Sequence, residues 1–214
     1  SASLHAQFTN GQAAQRVLGQ SLFSTKAQSG AIPTASDLSS PQGVAVDPTT
    51  GKIFVADATN NRVLRYADTT TNGAAAEAVF GQTSLTANAA GAALINRVNN
   101  PYDVAVDASG RLWVADFSNS RILRFDNAST KLTGADADGV LGQPDFNSGG
   151  AGITQALIAQ PTALAIDGSG NLYVADQANN RVVRFNNAAA KANGAPADGV
   201  YGQAGFTQST SGTT

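Results

Sequence analysis

Residues 41–66 read PQGVAVDPTTGKIFVADATNNRVLRY, and the chain writes this stretch three times. The second copy, 101–125, is PYDVAVDASGRLWVADFSNSRILRF, and the third, 161–185, is PTALAIDGSGNLYVADQANNRVVRF. The leading prolines fall at 41, 101 and 161, so the period is 60 residues. A fixed period has to be interpreted before any local feature, because each repeat is one supersecondary unit. Within a copy, Val44-Ala45-Val46 is a short apolar run ending at Asp47, followed by Pro48-Thr49-Thr50-Gly51. The other copies carry Ala108-Ser109-Gly110 and Gly168-Ser169-Gly170 in that slot, which is turn chemistry with Gly supplying a positive φ. Ile53–Ala56 is a second apolar run, and Arg62–Tyr66 alternates by twos after a small-polar turn. Such runs, bounded by Gly, Pro, Asn and Asp, predict three strands per repeat.

A fourth strand is predicted where each copy ends on V-x-G-Q, at Val79–Gln82, Val140–Gln143 and Val200–Gln203. A short apolar pair stopped by Gly suits an outer strand that ends early. Four antiparallel strands per unit, repeated with no helical period between them, predict an all-β fold of β-propeller blades.

The pattern P-x-G-V-A-V-D, G-x-[IL]-[FWY]-V-A-D and N-x-R-[IV]-[LV]-R-[FY] resembles the NHL repeat, a family of β-propeller blades. The resemblance covers residues 41–82, 101–143 and 161–203. The V-x-G-Q endings are similar to a bacterial, exported variety of NHL protein. It implies the fold; family function is diverse and transfers poorly.

Val17-Leu18-Gly19-Gln20 is a further V-x-G-Q, and Phe8-Thr9-Asn10-Gly11 precedes it as Tyr66, Asn72 and Gly73 precede the next one. Residues 8–20 therefore read as the outer strand of a preceding blade. Residues 1–20 lack a charged segment with an apolar core, so neither a signal peptide nor a membrane span is expected there. Crossovers of 17–20 residues (21–40, 83–100, 144–160) join blades, with apolar residues at Leu38, Val98 and Ile158 three before each Pro. Thr154–Ile158 reads as a single helical turn, and Thr207–Thr214 as a frayed tail. We expect one domain, 1–214.

Composition narrows the function classes. Charged residues make up 13% and the net charge is -2, which argues against nucleic acid or an acidic membrane as partner. Six of the nine Arg sit in the repeated third strand, so no basic patch is expected. Zero Cys removes disulfides and thiolate chemistry. Solubility carried by Ser, Thr, Asn and Gln, with four Lys and one Glu, points to an extracellular or periplasmic setting.

Asp57, Asp116 and Asp176 recur with Arg62, Arg121 and Arg181. They read as structural, each Asp capping its own turn and pairing with its own blade's Arg. Asp47, Asp107 and Asp167 open the first hairpin turns in the same structural sense. His5 is the only histidine, so a multi-His metal site is excluded within one chain, as is a His-activated Ser. No cofactor is expected, with a carboxylate-only calcium site left open. The one calcium echo, Asp136-Ala137-Asp138-Gly139, lacks the third acidic position and the distal Glu. Positions where the copies differ are free to carry function: Gln42-Gly43 becomes Tyr102-Asp103 and Thr162-Ala163, and Ala58 becomes Phe117 and Gln177. Tyr102, Asp103, Phe117 and Gln177 are therefore the candidate contact residues, grouped at the channel mouth for a protein or small ligand.

Three blades cannot close a ring. A bare blade face forgoes on the order of 10 kcal/mol of apolar burial at about 25 cal/mol per Å². The ends are expected to be covered, by a second copy that completes a six-bladed ring or by the rest of a longer propeller. The leading functional expectation is a non-enzymatic binding or assembly scaffold. The alternative is a metal-dependent hydrolase or lyase with a carboxylate-bound ion in the channel.

Overall fold

The computed structural model describes residues 12–25, 30–67 and 70–211. It is all-β, with twelve strands in three sheets among these residues. Blade 1 contains β1 (Pro41–Val46), β2 (Ile53–Asp57), β3 (Arg62–Tyr66) and β4 (Ala78–Phe80). Blade 2 contains β5 (Pro101–Val106), β6 (Leu112–Asp116), β7 (Arg121–Phe125) and β8 (Gly139–Leu141). Blade 3 contains β9 (Pro161–Ile166), β10 (Leu172–Asp176), β11 (Arg181–Phe185) and β12 (Gly199–Tyr201). Each sheet is an antiparallel meander in chain order, so every strand pairs with its sequence neighbour. The first strands β1, β5 and β9 lie side by side, which makes them the inner strands around the axis of an open arc.

Side-chain alternation divides each sheet into two faces. The face turned towards the following blade carries Phe54, Ala56, Val63 and Phe80 in blade 1, and Trp113, Ala115, Ile122 and Leu141 in blade 2. These meet the opposite face of the next sheet. Val104, Leu112, Val114, Leu123 and Phe125 fill the first joint, and Leu172, Val174, Val183 and Phe185 the second. The aromatic contacts follow the same scheme: Phe80 stands edge-on to Phe125 with centroids 5.0 Å apart.

The V-x-G-Q motif has two distinct physical roles. Its Gly adopts φ of +80°, +79° and +84° at Gly81, Gly142 and Gly202, conformations open to glycine. A Cβ on Gly81 would come within 2.2 Å of Val98, and one on Gly142 within 2.5 Å of Ile158. The apolar residue three before each Pro therefore packs on a bare glycine. The Gln staples the crossover: Gln82 Nε2 donates to the carbonyls of Asn61 and Ala89, and Gln143 Nε2 to those of Ser120 and Gly150.

Two local expectations are corrected. Among the described residues, Val17–Gln20 pairs with no ladder and so forms no strand. It still occupies an outer-strand place, with Gly73 N–H donating to Val17 O at 3.0 Å as Gly134 N–H does to Val79 O. Residues 8–11 and His5 lie outside the described residues. Thr154–Ile158 is not a helical turn, because Thr154 Oγ1 accepts from the amides of Ala156 and Leu157 and so replaces the helical carbonyl partners. The short 3₁₀ turns fall elsewhere, at Ala58–Asn60, Phe117–Asn119, Gln177–Asn179 and Ala188–Ala190. Among the described residues, no helix is long and apolar enough to cross a membrane.

Candidate functional site at the channel mouth

The recurring Asp–Arg pairs form a buried clasp in every blade. Arg62 Nε donates to Asp57 Oδ2 at 2.7 Å, Arg121 to Asp116 at 2.8 Å and Arg181 to Asp176 at 2.7 Å, with all six side chains fully buried. The Asp side chain does not cap its own 3₁₀ turn. Its second oxygen instead accepts the amide of Ser39, Asn99 or Ala159 in the incoming crossover. Asn60, Asn119 and Asn179 donate side-chain amides to the same carboxylates. The rest of the guanidinium binds crossover carbonyls. Arg121 reaches Leu94 O at 2.9 Å and Arg97 O at 2.7 Å before the blade, and Phe146 O after it. Each clasp thus ties the crossover that enters a blade to the one that leaves it, and no carboxylate oxygen remains open to the channel.

The blade-specific residues sit at the same end of the molecule. A β-bulge in β5 shifts the register between Pro101 and Asp103, and Tyr102 lies within that shift. Phe117 opens the 3₁₀ turn between β6 and β7. The two rings stack with centroids 4.3 Å apart and planes inclined by 23°, and both are half-buried. A stacked pair that is only half-buried offers an apolar, planar surface. Gln177 holds the matching place on blade 3 and is exposed.

Asp103 does a different job. Its Oδ1 accepts the Val104 amide at 2.9 Å, and its Oδ2 accepts the Leu164 amide at 2.8 Å, joining blade 2 to blade 3. Burial pushes its pKa up, against the lowering effect of those two amides. Its main chain also presses on blade 1, where a Cβ on Gly43 would stand 2.6 Å from Asp103 Cα. Asp103 is a bridge between blades near the axis, and its carboxylate is engaged on both sides.

At the other end, a cleft of about 150 Å³ between blades 1 and 2 is lined by Asp47, Thr50, Gly110, Asn127 and Ser129, among others. Sequence reasoning missed this joint, because Ser129 lies in the variable segment after the third strand, 82 residues from Asp47, and only the fold brings the two together. Asp47 accepts from Thr49 Oγ1 at 2.7 Å, Thr50 Oγ1 at 2.8 Å and Ser129 Oγ of the next blade. Burial raises its pKa, but the hydrogen bonds from Ser129, Thr49 and Thr50 outweigh that and hold it at about 2. Because the folded-state pKa lies below the ordinary 3.8, this group adds stability above about pH 4 and loses it as the pH falls towards 2. The loss expected is about 2 kcal/mol. Urea unfolding at pH 5 and pH 2 checks it, since Asp47→Asn should remove that part of the pH dependence.

Among the described residues, no three His, Cys, Asp or Glu side chains gather as a metal-binding group. Asp138 of the faint calcium echo instead pairs with Lys131 at 3.0 Å and accepts the Asp126 amide at 2.7 Å.

Comparison with known proteins agrees with the architecture. A model described as the SMP-30/gluconolactonase/LRE-like region matches residues 4–140, and the NHL repeat model matches residues 159–185. No curated protein matches the chain at a significant level. Among solved structures, hydrazine synthase of Kuenenia stuttgartiensis superposes with a TM-score of 0.51 at 12% identity, over 87% of this chain and 40% of that one. Virginiamycin B lyase from Staphylococcus aureus gives 0.45 at 16% identity, over 75% and 41%, and a streptogramin B lyase gives 0.43 at 15%, over 68% and 37%. The chain spans about two fifths of the length of these structures. With blades that stack as a propeller's do, and one family model running through well over half of its length, the chain belongs to the SMP-30/gluconolactonase/LRE-like family of β-propellers.

Proposed function

We propose that the chain is a non-catalytic propeller segment that binds a protein or small ligand at its channel mouth. The observation that carries this reading is the half-buried Tyr102–Phe117 stack. The other two blades hold Gln42 with Ala58 and Thr162 with Gln177 at these places. The blade folds with small or polar residues there, so the aromatic pair exceeds what folding asks of the site. The platform suits the flat face of an aromatic or sugar ring, and exposed Gln177 on the adjoining blade is available for hydrogen bonds. An ion-dependent hydrolase or lyase needs carboxylates free to hold the ion. Here Asp57, Asp116 and Asp176 are each held by an Arg, an Asn and a main-chain amide, and Asp103 is divided between two amides.

A fragment screen by NMR with phenol, indole and methyl glycosides tests the reading. Binding fragments should shift the Tyr102 and Phe117 ring resonances, and Tyr102→Ala should weaken them by about tenfold, or about 1.4 kcal/mol. Hits that leave both rings unmoved, or that bind Tyr102→Ala equally well, would discard this site.

A further inference from the structure

The loop between the third and fourth strands of a blade reaches back to the outermost strand of the blade before it. In blade 3 that loop carries Ala192-Asn193-Gly194-Ala195. Asn193 Oδ1 accepts the Val140 amide at 3.0 Å, and the Gly194 amide donates to Val140 O at 3.1 Å. Val140 lies in β8, the edge strand of its sheet, so the dipeptide pairs with that edge as one residue of a further strand would. The place demands this glycine. Gly194 sits at φ +70°, and a Cβ there would stand 2.8 Å from Pro144 Cα and 2.9 Å from Pro144 O. Asn72-Gly73 of blade 1 makes the same two bonds, to Val17 at 3.2 and 3.0 Å. In blade 2, Thr133-Gly134 takes the place, and of the two bonds only Gly134 N–H to Val79 O, at 3.0 Å, is made among the described residues.

Asn followed by Gly is also open to self-modification, because glycine has no side chain to shield its main-chain nitrogen from the neighbouring side-chain amide. We propose that Asn193-Gly194 is a deamidation site gated by this edge pairing, so that the modification records opening of the joint between blades 2 and 3. Gly194 N forms a bond to Asn193 Cγ, its proton passes to the departing Nδ2, the Cγ–Nδ2 bond breaks and ammonia leaves. The resulting succinimide takes up one water at either carbonyl and opens to aspartate or isoaspartate.

In the closed joint the step is held back twice. The Gly194 proton is engaged by Val140 O, and Asn193 Oδ1 is anchored on the Val140 amide, which keeps the side chain from swinging onto the Gly194 nitrogen. Asn193 is itself exposed, so burial does not shield it and water is at hand. The two products differ in what they do to the joint. Aspartate keeps an oxygen where Asn193 Oδ1 stood and still accepts the Val140 amide. Isoaspartate routes the main chain through the former side chain, a carbon longer, so its carboxylate and the Gly194 N–H no longer reach Val140 together. A joint that opens long enough to react this way is left with its edge unpaired.

Peptide mass spectrometry of the full chain, incubated at neutral pH both folded and in denaturing urea, reads the gate. Asn193 should be modified at least about tenfold more slowly in the folded chain. Urea below the unfolding transition should raise the folded-state rate in step with the exchange rate of the Val140 amide. Equal rates in the folded and unfolded chain, or a folded-state rate indifferent to that opening, overturn the proposal. The aged protein, separated into its aspartate and isoaspartate forms, gives the second readout. Amide exchange at Val140 and Gly194 should be faster by about tenfold or more in the isoaspartate form, and unchanged in Asn193→Asp. Full protection of both amides in the isoaspartate form contradicts the proposed loss of the edge pairing. Neither readout involves Tyr102 or Phe117, so the proposal stands or falls apart from the ligand site.

Discussion

Asp116→Ala is expected to lower the unfolding free energy by about 3–5 kcal/mol, the range for breaking a buried ion pair from one side. The size follows from what remains behind. Arg121 is fully buried, and without Asp116 its charge has carbonyl partners but no counter-charge. The Asn99 amide and the Asn119 side-chain amide lose their acceptor in the same step. Each of these costs more than a surface hydrogen bond, since no water reaches the site to replace the carboxylate. Arg121→Leu should cost a similar amount by stranding the carboxylate, and should also free both crossovers. Lys131→Ala offers the contrast, because its partner Asp138 is about one-third exposed and can rehydrate. Its cost should stay near 1 kcal/mol. Urea denaturation of the three variants separates a buried clasp from an ordinary surface pair.

Phe80→Ala should be as damaging, at about 3–5 kcal/mol. The ring is fully buried in the first joint, 5.0 Å from Phe125 and 5.9 Å from Phe54, with the Arg65 guanidinium over its face. Backbone from two sheets fixes the walls of this joint, so the cavity cannot collapse and the cost lies towards the top of the range. Its counterpart Tyr201 lies on the end face and is 45% exposed. Tyr201→Ala should cost below about 1 kcal/mol in a dilute single chain. Thermal unfolding of both variants reads this difference.

The sequence showed the blades clearly because their signal is tripled: Pro41, Pro101 and Pro161 set the period, and the strands fell where the apolar runs predicted. The pairing of Asp57 with Arg62 was legible for the same reason. The other half of each clasp was not, since Arg62 binds the carbonyls of Thr34, Asp37 and Leu85, and any residue type supplies a carbonyl. The glycine of V-x-G-Q was read as a strand stop. Its packing under Val98 and Ile158 depends on a contact 16 or 17 residues away that only the folded crossover creates.

At the mouth, Tyr102 and Phe117 were picked out by breaking the repeat, and the fold stacks them. Asp103 was picked out by the same test, yet its carboxylate serves the joint between blades. A residue can depart from its repeat because its neighbour departs too, and here the small Gly43 beside Asp103 was the available clue. Among the described residues, no side-chain hydrogen bond joins Gln177 to the aromatic pair, although it shares their end of the molecule.

Residue-resolved amide hydrogen exchange tests most directly whether three equivalent blades, each clasped to its crossovers, make up the molecule. The account predicts one pattern of protection written three times at a 60-residue spacing, strong through β2–β3, β6–β7 and β10–β11. The crossover amides of Ser39, Asn99 and Ala159, each bound to its buried Asp, should be protected with them. Rapid exchange at those three amides, or protection lacking the 60-residue period, would contradict it.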